Sequence, residues 1–143
     1  CARALGADET LNLAREPEAL APYAREKGQF DLMFEASGSD RALRAGLEVV
    51  APRGVIVSVG MGGDASLPMT PLVAKELELR GTFRFHPEFA VAVRFINEGL
   101  VDLRPVISHI VGMGDAVSAF KLAGDKTQAM KVQLDFGVEP AGI

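Results

Sequence analysis

The sequence predicts an α/β protein built on a doubly wound parallel sheet. Two apolar runs with the composition of buried strands lie at residues 30–35 and 54–60, and apolar residues at helical intervals separate them. The second run is continuous and rich in β-branched residues, which is typical of a central parallel strand. Because strands and helices alternate in doubly wound folds, this order predicts a parallel sheet covered by helices.

The first elements are predicted from turn and cap residues. A helix at the start of the chain is expected to end at Gly6, which can adopt the left-handed cap conformation. Residues 9–13 alternate polar and apolar side chains like a short strand. Pro17 begins a helical pattern that continues to residue 27, where Gly28 ends it.

The central elements carry the clearest signals. The run at 30–35 is predicted to be a strand buried on both faces. Ser39 or Asp40 is expected to cap the following helix, which Pro52 and Gly54 end. The remaining predicted elements are helices near 72–75, 87–98 and 115–122, strands at 78–83, 107–111 and 131–136, and a tail at 137–143.

Length, composition and charge narrow the class of protein. The chain has 143 residues, of which 48% are hydrophobic and 24% charged, so a packed domain is expected and disorder is not. The net charge is -4 and the basic residues are scattered, which argues against nucleic acid as a partner. No apolar run approaches the roughly 20 residues of a membrane span, so we expect a cytoplasmic protein.

The sequence offers few metal ligands. The one cysteine is Cys1, and His86 and His109 are the two histidines. We therefore predict no metal site within this sequence, and structural roles for both histidines. Because Cys1 begins the chain inside a helix-like stretch, we expect the C-terminal part of a longer protein. Lys75 is expected on a solvated face.

Three segments follow predicted strands at the edge where parallel sheets bind ligands. In the first, residues 36–38, small side chains let a flat ligand approach the backbone, although a capped tight turn would use the same residues. The glycines of the second, residues 59–63, expose backbone groups to a planar ligand or simply make a flexible loop. In the third, residues 81–86, Arg84 stands between two aromatic residues. It is predicted to meet an anionic or substrate oxygen, or else to reach the surface or pair with Glu35 or Glu78.

Taken in order, five segments resemble the medium-chain dehydrogenase/reductase family, which includes the zinc-dependent alcohol dehydrogenases. They are similar above all to its sorbitol-dehydrogenase-like branch, which includes L-idonate 5-dehydrogenases. The segments are ARALGADETLN at 2–12, FDLMFEASGS at 30–39, ALRAGLEVVAPRGVIVSVGMGG at 42–63, ELRGTFRF at 78–85 and DAVSAFKLAGDKTQAMKVQLDF at 115–136.

The resemblance implies two parts. Residues 1–105 would be a partial dinucleotide-binding (Rossmann) domain that begins after the first strand, the G-x-G-x-x-G turn and the second strand. Residues 106–143 would be a C-terminal segment that returns to the catalytic domain. Catalytic residues and zinc ligands belong to that absent domain, so the resemblance places none here and implies that this part alone is inactive.

The resemblance also implies a set of binding residues. Substrate is expected at Arg84 and Phe85, where Phe85 replaces a more usual Tyr. The cofactor NAD or NADP is expected at Ser37 and Gly38 on the adenosine side and at Val59, Gly60, Met61, Thr82, Phe83 and Arg84 on the nicotinamide side.

The implied activity is that of an oxidoreductase, an alcohol or polyol dehydrogenase. It would transfer a hydride between a polyol, sugar acid or other secondary alcohol and the nicotinamide. A homodimer or homotetramer is expected through the sheet edge near residues 65–82. The alternatives are a non-catalytic nucleotide-sensing module of the same fold and a zinc-free relative of the quinone reductases.

Overall fold

The computed structural model of the chain describes residues 1–137, so all but the first residue of the predicted tail lies outside the described residues. The chain divides into two compact units, Leu11–His86 and Cys1–Thr10 with Pro87–Ile143. The predicted division into 1–105 and 106–143 concerns a longer protein and stays a prediction. Among the described residues, no helix has both the length and the apolar character needed to cross a membrane.

The unit Leu11–His86 contains a three-stranded parallel sheet. Its strands are β1 (Phe30–Glu35), β2 (Val50–Ser58) and β3 (Glu78–Gly81), in the order β1-β2-β3. Helix α1 (Asp40–Val49) connects the first two strands, and α2 (Met69–Ala74) precedes the third. The predicted α/β class with parallel strands is confirmed.

The core of this unit forms where α1 packs on the sheet. Its buried members are Leu47, Val50, Ile56 and Leu77, with Met33, Leu43, Leu67 and Leu72 packed against them. Helix α1 begins where predicted, because the Ser39 hydroxyl accepts a hydrogen bond from the Ala42 amide at 3.4 Å.

Strand β1 is buried on one face only, so the prediction of burial on both faces is wrong. Met33 points toward the core. On the other face, Phe30, Leu32 and Phe34 are 38%, 50% and 63% exposed. Because alternate residues of a strand face opposite ways, a helix on one side covers only half of them. β1 is also an edge strand of this sheet.

Two elements predicted near the start of the unit do not form. Residues 9–13 make no strand, since the Asn12 side chain accepts hydrogen bonds from the Ala14 and Arg15 amides and turns the chain. The predicted helix at 17–27 is reduced to turns and a 3-10 segment, Ala21–Lys27, which the non-helical backbone of Arg25 and Glu26 interrupts. Pro22 explains this result, because it has no N–H to donate to the preceding turn of a continuous helix.

Lys75 is buried rather than solvated, which corrects the prediction. Its ammonium donates hydrogen bonds to the carbonyl oxygens of Leu47, Glu48 and Val50 at 2.7, 2.9 and 3.2 Å. These carbonyls lie at the C-terminal end of α1, which favours a positive charge. Burial lowers the pKa of the Lys75 ammonium, and the nearby Glu48 carboxylate opposes that shift.

The other unit contains α3 (Glu88–Asn97), β4 (Ile107–Gly112), α4 (Ala116–Gly124) and β5 (Lys131–Asp135), close to the predicted positions. Strands β4 and β5 pair in parallel as a two-stranded sheet. The 3-10 helix Ala2–Leu5 ends at Gly6, whose φ of 94° confirms the predicted left-handed cap.

Candidate functional site

The carboxyl ends of β1, β2 and β3 lie side by side. Glu35 is paired with Ser58, and Ser58 with Gly81, so the strands end at the same level. The Thr82 amide continues this pairing with a 3.1 Å hydrogen bond to the Ser58 carbonyl. The three loops predicted to bind a ligand therefore leave the sheet at one edge, as the parallel topology requires.

The loop after β1 closes on the side chain of Glu35, which is only 4% exposed. One carboxylate oxygen accepts hydrogen bonds from the Ser37 hydroxyl and, at 2.8 Å, from the Ser37 amide. The other accepts from the Gly38 amide at 3.0 Å. The hydrogen bond from the Ser37 side chain does most to lower the pKa of Glu35, burial acts in the opposite direction, and backbone amides lower it further.

The loops after β1 and β2 are packed backbone against backbone. The Glu35 carbonyl accepts hydrogen bonds from the Val59 and Gly60 amides at 2.8 and 2.9 Å. A Cβ added at Gly60 would overlap the Gly38 nitrogen, and one added at Gly62 would overlap the Gly38 oxygen. These glycines let the two loops approach each other closely. From the sequence, a flat ligand was expected at this position, and in the structure the backbone of the neighbouring loop occupies it. A cofactor contact at Ser37, Gly38 or Gly60 stays a prediction.

An open cavity lies beside this contact. It has a volume of about 340 Å³ and is lined by Val59, Met61, Thr82, Phe83 and Arg84. The Met61 and Phe83 side chains are 82% and 60% exposed, so the cavity has an apolar wall that solvent reaches. The structure thus brings together five of the eight residues predicted to bind a cofactor.

Arg84 lies in the cavity wall with its guanidinium over the Phe83 ring, 4.9 Å from the ring centroid. It is exposed, which agrees with the alternative that its side chain reaches the surface. The other alternative, a pairing with Glu35 or Glu78, does not form, since Glu35 is bound by its own loop and Glu78 pairs with Arg80. Cation–π stacking on an apolar neighbour leaves the donors of Arg84 directed to solvent or to a ligand.

The remaining candidates lie apart from this cavity. Phe85 is 64% exposed and is not among the described residues that line the cavity, so its predicted substrate contact stays a prediction. His86 is exposed, and Nδ1 of His109 lies 3.1 Å from the Ser108 hydroxyl. Within residues 1–137, no group of three His, Cys, Asp or Glu side chains is placed to hold a metal ion. The described residues therefore do not fit zinc.

A larger cavity, of about 550 Å³, lies in the other unit between α4 and β5. Its lining is almost wholly apolar: Ala119, Phe120, Ala123, Val132, Gln133, Leu134 and Phe136. Size alone does not identify a binding site, because specificity needs polar groups at defined positions. The smaller cavity at the strand ends combines an apolar wall with the Thr82 hydroxyl and the Arg84 guanidinium, so it is the stronger candidate.

Sequence reasoning named Glu35 and Asp40 in other roles but missed that their carboxylates hold the loops at this edge. The Asp40 carboxylate accepts a hydrogen bond from the Ser66 amide at 3.0 Å and pairs with Arg44, which lowers its pKa. It thereby connects the start of α1 to the loop before α2. The available signal for Glu35 was an acidic residue at the end of an apolar strand with small residues after it, as in Glu35-Ala36-Ser37-Gly38.

Comparisons with known proteins identify the family of the chain. Residues 1–98 match the model of the family described as zinc-binding dehydrogenase. The chain is 44% identical over 133 residues to L-idonate 5-dehydrogenase (NAD(P)(+)) of Escherichia coli strain K12, covering 92% of the chain and 38% of the relative. It is 32% identical over 127 residues to D-xylulose reductase of Saccharomyces cerevisiae, covering 84% of the chain and 36% of the relative.

A solved structure gives the same result for the fold. The crystal structure of the Escherichia coli L-idonate 5-dehydrogenase matches with a TM-score of 0.77 and 41% identity, over 92% of this chain and 36% of that one. The chain thus spans between a third and two fifths of the length of these relatives. With the family model matched over more than half of its residues, the chain belongs to the zinc-binding dehydrogenase family.

Proposed function

We propose that this chain forms the nicotinamide side of an oxidoreductase that transfers a hydride between a polyol, sugar acid or other secondary alcohol and NAD or NADP. The observation that carries the proposal is the cavity shared by Val59, Met61, Thr82, Phe83 and Arg84 at the ends of neighbouring parallel strands. The names of the relatives, an L-idonate 5-dehydrogenase and a D-xylulose reductase, support the substrate class.

The cavity suits a flat ring with a polar substituent. Its volume of about 340 Å³ is within the range of small-molecule sites. Val59, Met61 and Phe83 offer apolar surface to the ring faces. The Thr82 hydroxyl and the Arg84 guanidinium offer donors to a carboxamide or a substrate oxygen. When bound there, a nicotinamide would accept or donate the hydride.

Zinc would have to be held outside this chain. We place it in the remaining part of a longer enzyme, where a bound metal would polarise the alcohol oxygen. This chain alone is accordingly expected to be inactive. A cytoplasmic location is part of the same proposal.

We also propose that the enzyme is a homodimer or homotetramer joined through the sheet edge near residues 65–82. β3 is the last strand in the order β1-β2-β3, and all four of its residues, Glu78–Gly81, are exposed. An unpaired strand edge can be covered by the same edge of a second subunit.

The test is Arg84→Ala in the longer enzyme. We expect the KM for cofactor or substrate to rise about tenfold, which corresponds to the loss of one charge-assisted contact. The matched control is Arg94→Ala, an exposed arginine on α3 that stacks on the Phe95 ring and pairs with Glu98 outside the cavity. Equal kinetics for Arg84→Ala and the wild type would refute the assignment. Binding of cofactor without turnover of any alcohol would favour a nucleotide-sensing module instead.

A further inference from the structure

We propose that Glu35 is a positioning residue for the cofactor: one residue holds the loops after β1 and β2 together and so sets the cavity wall. The inference rests on the proposed function, because it concerns how that cavity keeps its shape. Glu35 is not among the residues that line the cavity. It would act on the cofactor through Val59 and Met61 rather than by contact.

The carboxylate of Glu35 orders the loop after β1. Burying an ionised carboxyl group is costly unless donors compensate it. Here the donors are the Ser37 hydroxyl and the amides of Ser37 and Gly38, all from the loop that follows the residue. The Ser37 hydroxyl also accepts a hydrogen bond from the Ser39 amide at 3.2 Å. The loop is therefore held in one conformation around its own strand-end acid.

The carbonyl of Glu35 anchors the loop after β2. It accepts the amides of Val59 and Gly60, so the same residue that shapes the first loop also anchors the second. The Gly38 amide is held by the Glu35 carboxylate. Gly60 and Gly62 pack against the Gly38 backbone so closely that neither has room for a Cβ. Val59 and Met61, the residues next to Gly60, line the cavity. A shift of the Gly38 backbone would thus be transmitted to two residues of the cavity wall.

The experiment is Glu35→Gln in the longer enzyme, with NADH and NADPH titrated separately. Glutamine has the same shape as glutamate, but its NH₂ group replaces one of the two carboxylate oxygens. This NH₂ donor would face either the Ser37 donors or the Gly38 amide, so hydrogen bonds to it would be lost. We expect the dissociation constant of the cofactor to rise about tenfold. The kcat at saturating cofactor should stay within about twofold, because no reacting group is removed. The matched control is Glu98→Gln, an exposed glutamate at the C-terminal end of α3 that pairs with Arg94.

A second pair of variants tests whether Ser37 acts on the cofactor through Glu35 or contacts the cofactor directly. Ser37→Ala removes one donor to Glu35 and is expected to weaken cofactor binding about threefold. The double variant Glu35→Gln, Ser37→Ala should bind the cofactor as weakly as Glu35→Gln alone, since both changes break one connected unit. Additive losses would show that Ser37 touches the cofactor directly and would overturn the inference for that residue. If Glu35→Gln fails to fold, Ser37→Ala decides: unchanged cofactor binding in that variant also overturns the inference.

Amide hydrogen exchange without cofactor distinguishes this inference from the proposed function. In Glu35→Gln, exchange at Gly38, Val59 and Gly60 should become faster than in the wild type, and in Glu98→Gln it should not. Faster exchange with wild-type cofactor affinity would overturn the inference while leaving the proposed function intact. Failure of the wild-type enzyme to bind either cofactor would instead refute the proposed function, and the role of Glu35 with it.

Discussion

The two halves of the candidate site are built in opposite ways. Between the loops after β1 and β2, backbone meets backbone at Gly38, Gly60 and Gly62, with no room for a side chain. Between the segments after β2 and β3, side chains stand around an open cavity, and Met61 is 82% exposed. We call the first the closed half and the second the open half. We infer that the closed half stabilises the fold and holds the cavity wall in place, whereas the open half supplies the surface that contacts a ligand.

This difference follows from which atoms make each half. Hydrogen-bonded backbone in close contact has few alternative arrangements, so any added atom must displace it. Exposed apolar side chains already contact water and gain from being covered by a ligand. A chain can therefore combine a rigid frame with an unfilled apolar wall at neighbouring strand ends.

The largest expected effect is from Gly60→Ala, which breaks the closed half. Its Cβ would overlap the Gly38 nitrogen and the Ala36 carbonyl carbon. We expect a loss of about 3 kcal/mol in the free energy of unfolding, measured by urea denaturation. The matched control is Gly63→Ala, because a Cβ at Gly63 has no heavy atom within 4 Å. A similar loss for both variants would show that the close packing of the loops is not the cause.

The next effect is a pH dependence that comes from Glu35. Its pKa in the folded chain lies below the ordinary value of 4.5. The carboxylate therefore stabilises the fold fully above pH 4.5, and this contribution is lost as the pH falls through the lowered folded pKa. At neutral pH, the free energy of unfolding should be about 2 kcal/mol larger for the wild type than for Glu35→Gln. If this difference in unfolding free energy does not decrease at acidic pH, the stabilising role of the Glu35 carboxylate is contradicted.

The smallest expected effect on stability belongs to the open half. Met61→Ala removes a side chain that is 82% exposed. The free energy of unfolding should change by less than about 0.5 kcal/mol. Cofactor affinity in the longer enzyme should nevertheless fall, since Met61 lines the cavity. A large loss of stability without a change in cofactor affinity would show that Met61 supports the fold and not ligand binding.

Much of the fold was predictable from local patterns. The continuous apolar runs at β1 and β2 and the Ser39 cap of α1 were identified because they depend on short-range preferences. The failed helix at 17–27 shows the limit of such patterns, since Pro22 cancels an otherwise acceptable periodicity. Lys75 shows a second limit: its three carbonyl partners are 25 to 28 residues away in sequence.

In the candidate site too, some features follow from local sequence patterns and others from contacts between distant residues. From residue types and order alone, the sequence determined an α/β chain with parallel strands, the segments at the strand ends and the family they resemble. Only the tertiary structure decided that Gly38, Gly60 and Gly62 pack on one another, that Glu35 holds both loops and that five candidates share a cavity. The physical reason is that strand and helix preferences act over a few residues. Contacts between loops depend on sheet register, which brings residues 20 or more positions apart to the same edge.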